Sequence, residues 1–438
     1  VRKSCRAVRV LSSELWRWHA RGLFRSLRQQ GYLSYLMAPL EPIRVLDLSR
    51  VLAGPWCTQC LADFGAVVWK VEHPRRGDDT RAWGPPWHAA APGRPAESAY
   101  YLSANRGKRS LAIDFSKPQG QELVRALAAR ADVVVENFKV GSLAAYGLDW
   151  PRLGRINPRL VYCSISAFGQ DGPDAARAGY DAMIQAAAGL MSITGEPGSA
   201  PQKVGVAVTD LMTGLYAVAA ILAALHEREC SGLGQHIDLS LFDTQLAALA
   251  NQGMSYLVSG RTPPRLGTAH PSIVPYQAFA TADGHIMLAV GNDRQFSHLC
   301  AALGEPQLAL DERYATNAQR VLNRDSLIER VSELLARRSS REWLSAFTAT
   351  HIPCGPINTI AAAFAEPQAV HRKVRFDLPL PGGGSVPQIR NPALFSRTPV
   401  TSSSPPPALG EHTDEVLTRE LQLSASDLAE LRARAVIR

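Results

Sequence analysis

Between residues 43 and 165 short apolar runs alternate with longer stretches in which apolar residues recur every three or four positions. Ile43 to Leu48, Val67 to Glu72, Leu111 to Asp114, Val133 to Glu136 and Leu160 to Ile165 read as strands. Each is a nearly unbroken apolar run, the pattern of a strand covered on both faces. Pro55 to Phe64 and Gln119 to Ala131 read as helices, the second with Leu123, Leu127 and Ala131 along one side. Strands and helices in this alternation predict an α/β fold, a parallel sheet layered with helices.

From Gly179 to Gly260 helical spacing dominates: Tyr180 to Met191, a helix from Leu211 whose core face is Leu211, Leu215, Val218, Leu222 and Leu225, and Leu241 to Val258, with a short strand at His236 to Leu239. The texture changes after Pro263. Tyr276 to Ala280 and His285 to Val290 flank Thr281-Ala282-Asp283-Gly284, a hairpin turn, and helices follow around Phe296 to Leu303, Arg324 to Leu335 and Arg341 to Phe347. The tail from Gly382 carries a Ser/Pro-rich stretch, Thr401 to Pro407, that reads as a surface linker or extended arm, and closes with helices over Asp414 to Leu421 and Ala425 to Ala435. The organisation expected is a leader over 1–38, the first part of a large domain over 39–260, a small α+β domain over 261–360 and the rest of the large domain over 361–438.

Charge sharpens this division. Of the net charge of +8, residues 1 to 40 supply seven, from eight Lys or Arg against the single acid Glu14. Leu11, Leu15, Trp16, Leu23, Phe24 and Leu27 among those cations give a basic amphipathic helix of the mitochondrial transit type, set apart from the fold and implying the mitochondrial matrix. The nearly neutral remainder does not call for a nucleic acid or membrane partner. No apolar run reads as long enough for a bilayer span, so no membrane insertion is expected. Seven scattered cysteines are not a disulfide framework. Cys57 and Cys60 form one C-x-x-C without a nearby His, which is poor support for a metal site; they read as small packing residues.

Candidate chemistry centres on Asp210. It precedes the apolar helix that starts at Leu211, so it reads as that helix's N-cap, where backbone N–H groups and the helix dipole favour its ionised form. A purely structural cap gives the same pattern. Arg50-Val51-Leu52-Ala53-Gly54-Pro55 opens a helix after the first strand with small residues, and Glu72 ends the next strand about twenty residues on, both suited to an adenine nucleotide at a switch point. The G-x-G-x-x-G fingerprint is absent. Asn105 to Ser110 is a basic cluster suited to phosphates, or a solvated turn.

Several stretches in this order resemble the class III coenzyme A transferases, the family that includes formyl-CoA transferase and alpha-methylacyl-CoA racemase. They are Val45-Leu46-Asp47-Leu48 with Ala53-Gly54-Pro55, Val71-Glu72 with Gly77-Asp78-Asp79-Thr80-Arg81, Asn105 to Ser110, and Val135-Glu136-Asn137-Phe138. Gly179-Tyr180-Asp181, Thr209-Asp210, Pro353-Cys354-Gly355-Pro356 and Leu409-Gly410-Glu411-His412-Thr413 complete the set. The resemblance implies a Rossmann-like large domain with an inserted smaller α+β domain, in an interlocked homodimer. It implies CoA transfer from succinyl-CoA to glutarate or a related dicarboxylate such as 3-hydroxy-3-methylglutarate. Asp210 would be the covalent nucleophile, with CoA thioesters as substrates and no permanently bound cofactor.

By the same resemblance Val51, Ala53, Asn137, Phe138 and Tyr146 face CoA. His73 and Ser116 replace basic residues near the nucleotide, leaving Lys108, Arg109 and Lys117 as possible phosphate partners. Leu52 stands where an oxalate-using relative has glutamine. Arg50 and Arg106, and also His270, are candidates for the acceptor's distal carboxylate, since a guanidinium fixes a carboxylate with two parallel hydrogen bonds. Gly267 lies in a glycine-containing loop that would exclude water. A racemase places His where this chain has Tyr180, beside Asp181; a phenol, titrating near about 10, is a poor base at neutral pH. The alternatives are a racemase-like enzyme and a non-catalytic acyl-CoA-binding protein.

Overall fold

The computed structural model describes residues 38–89, 95–399 and 404–438, so the basic leader lies outside the described residues. Six strands form one sheet: β1 (Arg44–Asp47), β2 (Val67–Glu72), β3 (Lys108–Ala112), β4 (Val133–Glu136), β5 (Val161–Ser166) and β6 (His236–Ser240). They lie in the order β3-β2-β1-β4-β5-β6, and every neighbouring pair is parallel. This is the Rossmann order: the chain works outward from β1 in one direction, returns, and works outward in the other, so the loops after β1 and β4 part at a switch point.

Alternation along the strands feeds two cores. Val45, Val133, Val135, Val161 and Cys163 point to one face, where Cys57 and Leu61 of helix α1 (Ala53–Asp63) meet Ala217 and Ile221 of a long helix beyond. Leu46, Trp69, Val134 and Tyr162 point to the other, which is closed by Leu123, Val124 and Leu127 of α2 (Pro118–Ala128) and by Val416, Leu417 and Leu428 from the chain's C-terminal end. Each such Leu or Val stabilises by about 1.5–3 kcal/mol, so both faces hold the sheet. Cys57 and Cys60 are buried and unpaired on α1, with burial pushing the Cys60 thiol up to about 11; both pack in the core.

A third core, built from residues between Val274 and Ile352, lies under a separate antiparallel sheet of Tyr276–Ala280, His285–Ala289 and Cys354–Pro356. The returning segment after residue 361 contains a hairpin that the sequence reading did not expect. Arg375–Pro379 pairs with Ser385–Ile389 through Gly382, Gly383 and Gly384, all at positive φ, and Leu378 and Val386 rest on Tyr101 and Leu102.

Two helices after β5 carry the site, α3 (Asp181–Ala187) and α4 (Val208–Ser231). The helix expected over Tyr180 to Met191 ends early, because Gly189 turns left-handed at φ 87°. By length and composition α4 could cross a bilayer, contrary to the sequence reading, but half of its apolar window is buried inside the protein. Its buried face also differs from expectation. Thr213, Gly214, Ala217, Val218, Ile221, Ala224 and Leu225 are buried, while Leu215 and Tyr216 are exposed. The cause is close approach to α1: a Cβ on Gly214 would sit 2.7 Å from the Ala53 carbonyl oxygen, so only small residues fit that face.

Candidate active site

The loops after β1, β2 and β4 meet at the C-terminal edge of the sheet. Asn137, one residue past β4, accepts from the Arg50 N–H at 2.7 Å and donates to the Arg50 carbonyl at 2.6 Å, stitching the loops across the switch point. The next residue, Val51, has φ 70°, a left-handed backbone that costs a β-branched residue roughly 1–3 kcal/mol. Its N–H donates to Asp78 at 3.3 Å. These bonds hold a strained turn against the space where a ligand would lie.

Two clefts open there. One of about 360 Å³ is lined by His73, Arg76, Phe115, Ser116, Phe138 and Tyr146 among others. The second, about 240 Å³, is lined by Arg50, Val51, Leu52, Ala53, Asn137, Lys139, Arg177, Tyr180 and Asp210. Arg50 and Phe138 belong to both, so the clefts adjoin. The aromatic wall of the first is a chain of edge contacts, Phe138 to Phe115 and Phe115 to Tyr146, at 5.7 and 5.6 Å.

Asp210 is not the N-cap of α4. The helix begins at Val208, two residues before Asp210, and the N-cap is Ala207, whose side chain makes no bond. The capping is done by Asp181 of α3, whose Oδ1 accepts from the N–H groups of Thr209 at 2.8 Å and Asp210 at 3.2 Å. Gln185 holds the other Asp181 oxygen at 2.6 Å and accepts from the Val204 N–H. Asp210 is thereby left free of capping duty, 8% exposed. Burial first, and the Asp181 carboxylate second, push its carboxyl up to about 7. This reverses the expectation that the helix dipole keeps it ionised, because desolvation and a like charge outweigh a dipole effect of about 1 kcal/mol. A carboxyl titrating near neutrality, facing a cleft, is poised for chemistry.

Other sequence-predicted residues divide. Val51, Leu52, Ala53, Asn137, Phe138, Tyr180 and Arg50 line the Asp210 cleft, and His73 and Tyr146 line its neighbour. Lys108 is a correction: its ammonium is wholly buried on Asp47, Asn105 and the Pro55 carbonyl, so it cannot reach a phosphate. Arg106 is another, its guanidinium held in the interior by both Asp63 oxygens. Arg109 pairs with Glu415, Lys117 donates to the Arg434 and Ala435 carbonyls, and Glu72 is bound to Arg81, Ser110 and the Asp78 N–H. Gly267 and His270 lie outside both clefts of the chain. Gly267 packs on Glu196, and His270 accepts from the Ser272 N–H and lies against Tyr276.

Several residues escaped the sequence reading, Lys139 of the Asp210 cleft among them. Arg76 supplies a cation to the first cleft, and Arg177 one to the second. Arg177 stands four residues before Asp181, in the loop that leads into α3, which was the available signal. Tyr100 lies near Asp210, and its phenol is pushed up to about 12 by burial and by Asp210, Asp181 and Asp78.

Comparison with known proteins agrees with this geometry. The sequence profile of CoA-transferase family III matches residues 40–413. The chain is 52% identical over 379 residues to a succinate–glutarate CoA-transferase of Agrobacterium fabrum, covering 86% of this chain and 95% of that protein. It is 43% identical over 400 residues to the human succinyl-CoA:glutarate CoA-transferase, covering 91% and 90%. A crystal structure of a CaiB/BaiF family protein from Brucella suis superposes with a TM-score of 0.78 at 48% identity, over 87% of this chain and 99% of that one. With a parallel sheet in Rossmann order, paired clefts at its switch point and a profile match over most of its length, the chain belongs to CoA-transferase family III.

Proposed function

We propose that this enzyme moves CoA from succinyl-CoA to glutarate or a related dicarboxylate through a covalent intermediate on Asp210. The carrying observation is a buried, near-neutral carboxyl in a cleft that adjoins a second, aromatic-walled one. The nucleotide end of CoA belongs in the aromatic-walled cleft, against Phe115, Phe138 and Tyr146, with His73 and Arg76 toward its phosphates. The thioester then reaches Asp210 past Arg50 and Phe138.

The Asp210 carboxylate attacks the succinyl carbonyl, forming a mixed anhydride and releasing CoA thiolate. The thiolate attacks the Asp210 carbonyl, releasing succinate and leaving an aspartyl thioester. The acceptor carboxylate attacks that thioester, giving a second anhydride and free thiolate. Thiolate attack on the acceptor's carbonyl then releases product and restores Asp210. Over the whole cycle one carboxylate replaces another on CoA and a thioester is both consumed and formed, so no external energy is needed. Holding the partners in register accounts for much of the rate, effective molarities reaching about 10⁵ M.

The names and sequences of the relatives support these substrates. The exposed Leu257 and Val258, together with Met254, Tyr256, Leu215 and Tyr216, support burial against a second copy; in an interlocked dimer the loop with Gly267 and His270 would serve the partner's cleft. The basic leader supports a mitochondrial matrix location, testable by fusing residues 1–40 to a reporter.

The test is to mix the protein with succinyl-CoA and glutarate and follow glutaryl-CoA by mass, with Asp210→Ala alongside. Product from the unaltered protein and none from the variant is expected. Absence of product, with exchange of the proton beside a 2-methylacyl thioester instead, would move the assignment to a racemase.

A further inference from the structure

We infer that Arg177 reads the carboxylate at the far end of the acyl group, and so sets the preference for dicarboxylates; this rests on the transfer proposed above. Three cations line the Asp210 cleft: Arg50, Lys139 and Arg177. Their surroundings assign them different tasks.

Arg50 walls the neighbouring nucleotide-side cleft as well. Its guanidinium lies 5.0 Å from the Phe138 ring and pairs with Asp79, and its Nε is buried without a hydrogen-bond partner among the described residues. It stands where the thioester must pass between the clefts, so it serves every acyl group alike. Lys139 also walls a cavity beside His236, on the far side of the β4 loop. Arg177 sits in the lip that leads through Tyr180 to Asp181, whose carboxylate holds the backbone of Asp210. An acyl chain entering past Arg50 and reacting at Asp210 leaves its far end toward this lip.

The guanidinium of Arg177 is available there. It pairs with Asp174 three residues earlier at 2.9 Å, both partners about half exposed, and such surface pairs are weak enough to yield to a bound carboxylate. Phe168 lies 4.7 Å beneath it and fixes the plane of the fork without using its donors. A planar fork on an aromatic shelf matches a carboxylate by two parallel hydrogen bonds. A monocarboxylate offers it nothing.

The test compares the unaltered protein with Arg177→Met, Arg177→Lys and Arg50→Met. In Arg177→Met the KM for glutarate should rise roughly tenfold to a hundredfold, the loss of a charge-assisted hydrogen bond, with kcat little changed. The KM for succinyl-CoA should rise with it, because its own far carboxylate takes the same place, whereas that for butyryl-CoA, which has none, should not. Arg177→Lys should recover part of the loss, and Arg50→Met should lower turnover with both donors. An unchanged glutarate KM in Arg177→Met, or equal losses with succinyl-CoA and butyryl-CoA, would overturn the assignment while leaving the transfer reaction standing. Failure of the unaltered protein to make glutaryl-CoA would remove both.

Discussion

Replacing Asp210 by Asn should make the protein more stable, and by an amount that depends on pH. The carboxyl is pushed from its ordinary 3.8 to about 7 by burial and by Asp181. At 1.36 kcal/mol for each pH unit, ionised Asp210 costs the folded state about 4 kcal/mol. The folded state binds the proton more tightly than the unfolded chain, so this cost is absent below about pH 4. It grows as pH rises through the window between 3.8 and about 7 and is complete above it. Asn keeps the shape and cannot ionise. The difference between Asp210→Asn and the unaltered protein, from urea unfolding at several pH values between 4.5 and 8, should therefore be small at the acid end and approach about 4 kcal/mol at the alkaline end. A difference that is flat with pH, or that favours Asp at pH 8, would refute the placement of this carboxyl. The stability forgone is what a poised nucleophile requires.

Three other outcomes follow from the same structure. Since only the carboxylate attacks, kcat/KM for succinyl-CoA should climb as pH rises through about 7, and Asp181→Asn, which removes the neighbouring charge, should move that climb to lower pH; an unmoved profile would contradict the coupling. Lys108→Met strands the buried Asp47 carboxylate and should destabilise by about 3–5 kcal/mol, read by urea unfolding, whereas a phosphate ligand would instead weaken CoA binding in a stable protein. Gly214→Ala drives a Cβ to 2.7 Å from the Ala53 oxygen and should cost about 1–3 kcal/mol in the same assay, because a carbonyl on α1 has nowhere to go.

The sheet was legible because all its strands but the edge strand His236–Ser240 are largely buried, and Val67–Glu72 and Val133–Glu136 fall where the apolar runs do. The start of α4 was not. Periodicity marks where an apolar face begins, and Val208 and Thr209 form the helix's first turn under a cap supplied by Asp181, across a gap of 28 residues that no local pattern records. The hairpin after residue 374 was missed because Gly382-Gly383-Gly384 reads as the start of a tail when nothing in the sequence shows that Tyr101 and Leu102 wait to receive the strands on either side. Basic residues were the least legible. Lys108 and Arg106 look like a phosphate cluster in sequence, yet strand β3 and the turn before it carry them into the interior toward Asp47 and Asp63. Asn137 and Phe138, at the end of a buried strand, needed no such tertiary information.

The central claim is that Asp210 carries CoA. It is tested most directly by mixing the protein with succinyl-CoA in the absence of acceptor, quenching with hydroxylamine and mapping peptides by mass. An aspartyl thioester gives up CoA thiol to hydroxylamine, leaving a hydroxamate on the side chain. The account predicts that hydroxamate at Asp210, dependent on succinyl-CoA and lost when glutarate is added before the quench. Transfer of CoA to glutarate with no modification at Asp210, or with the hydroxamate on another carboxylate, would contradict it.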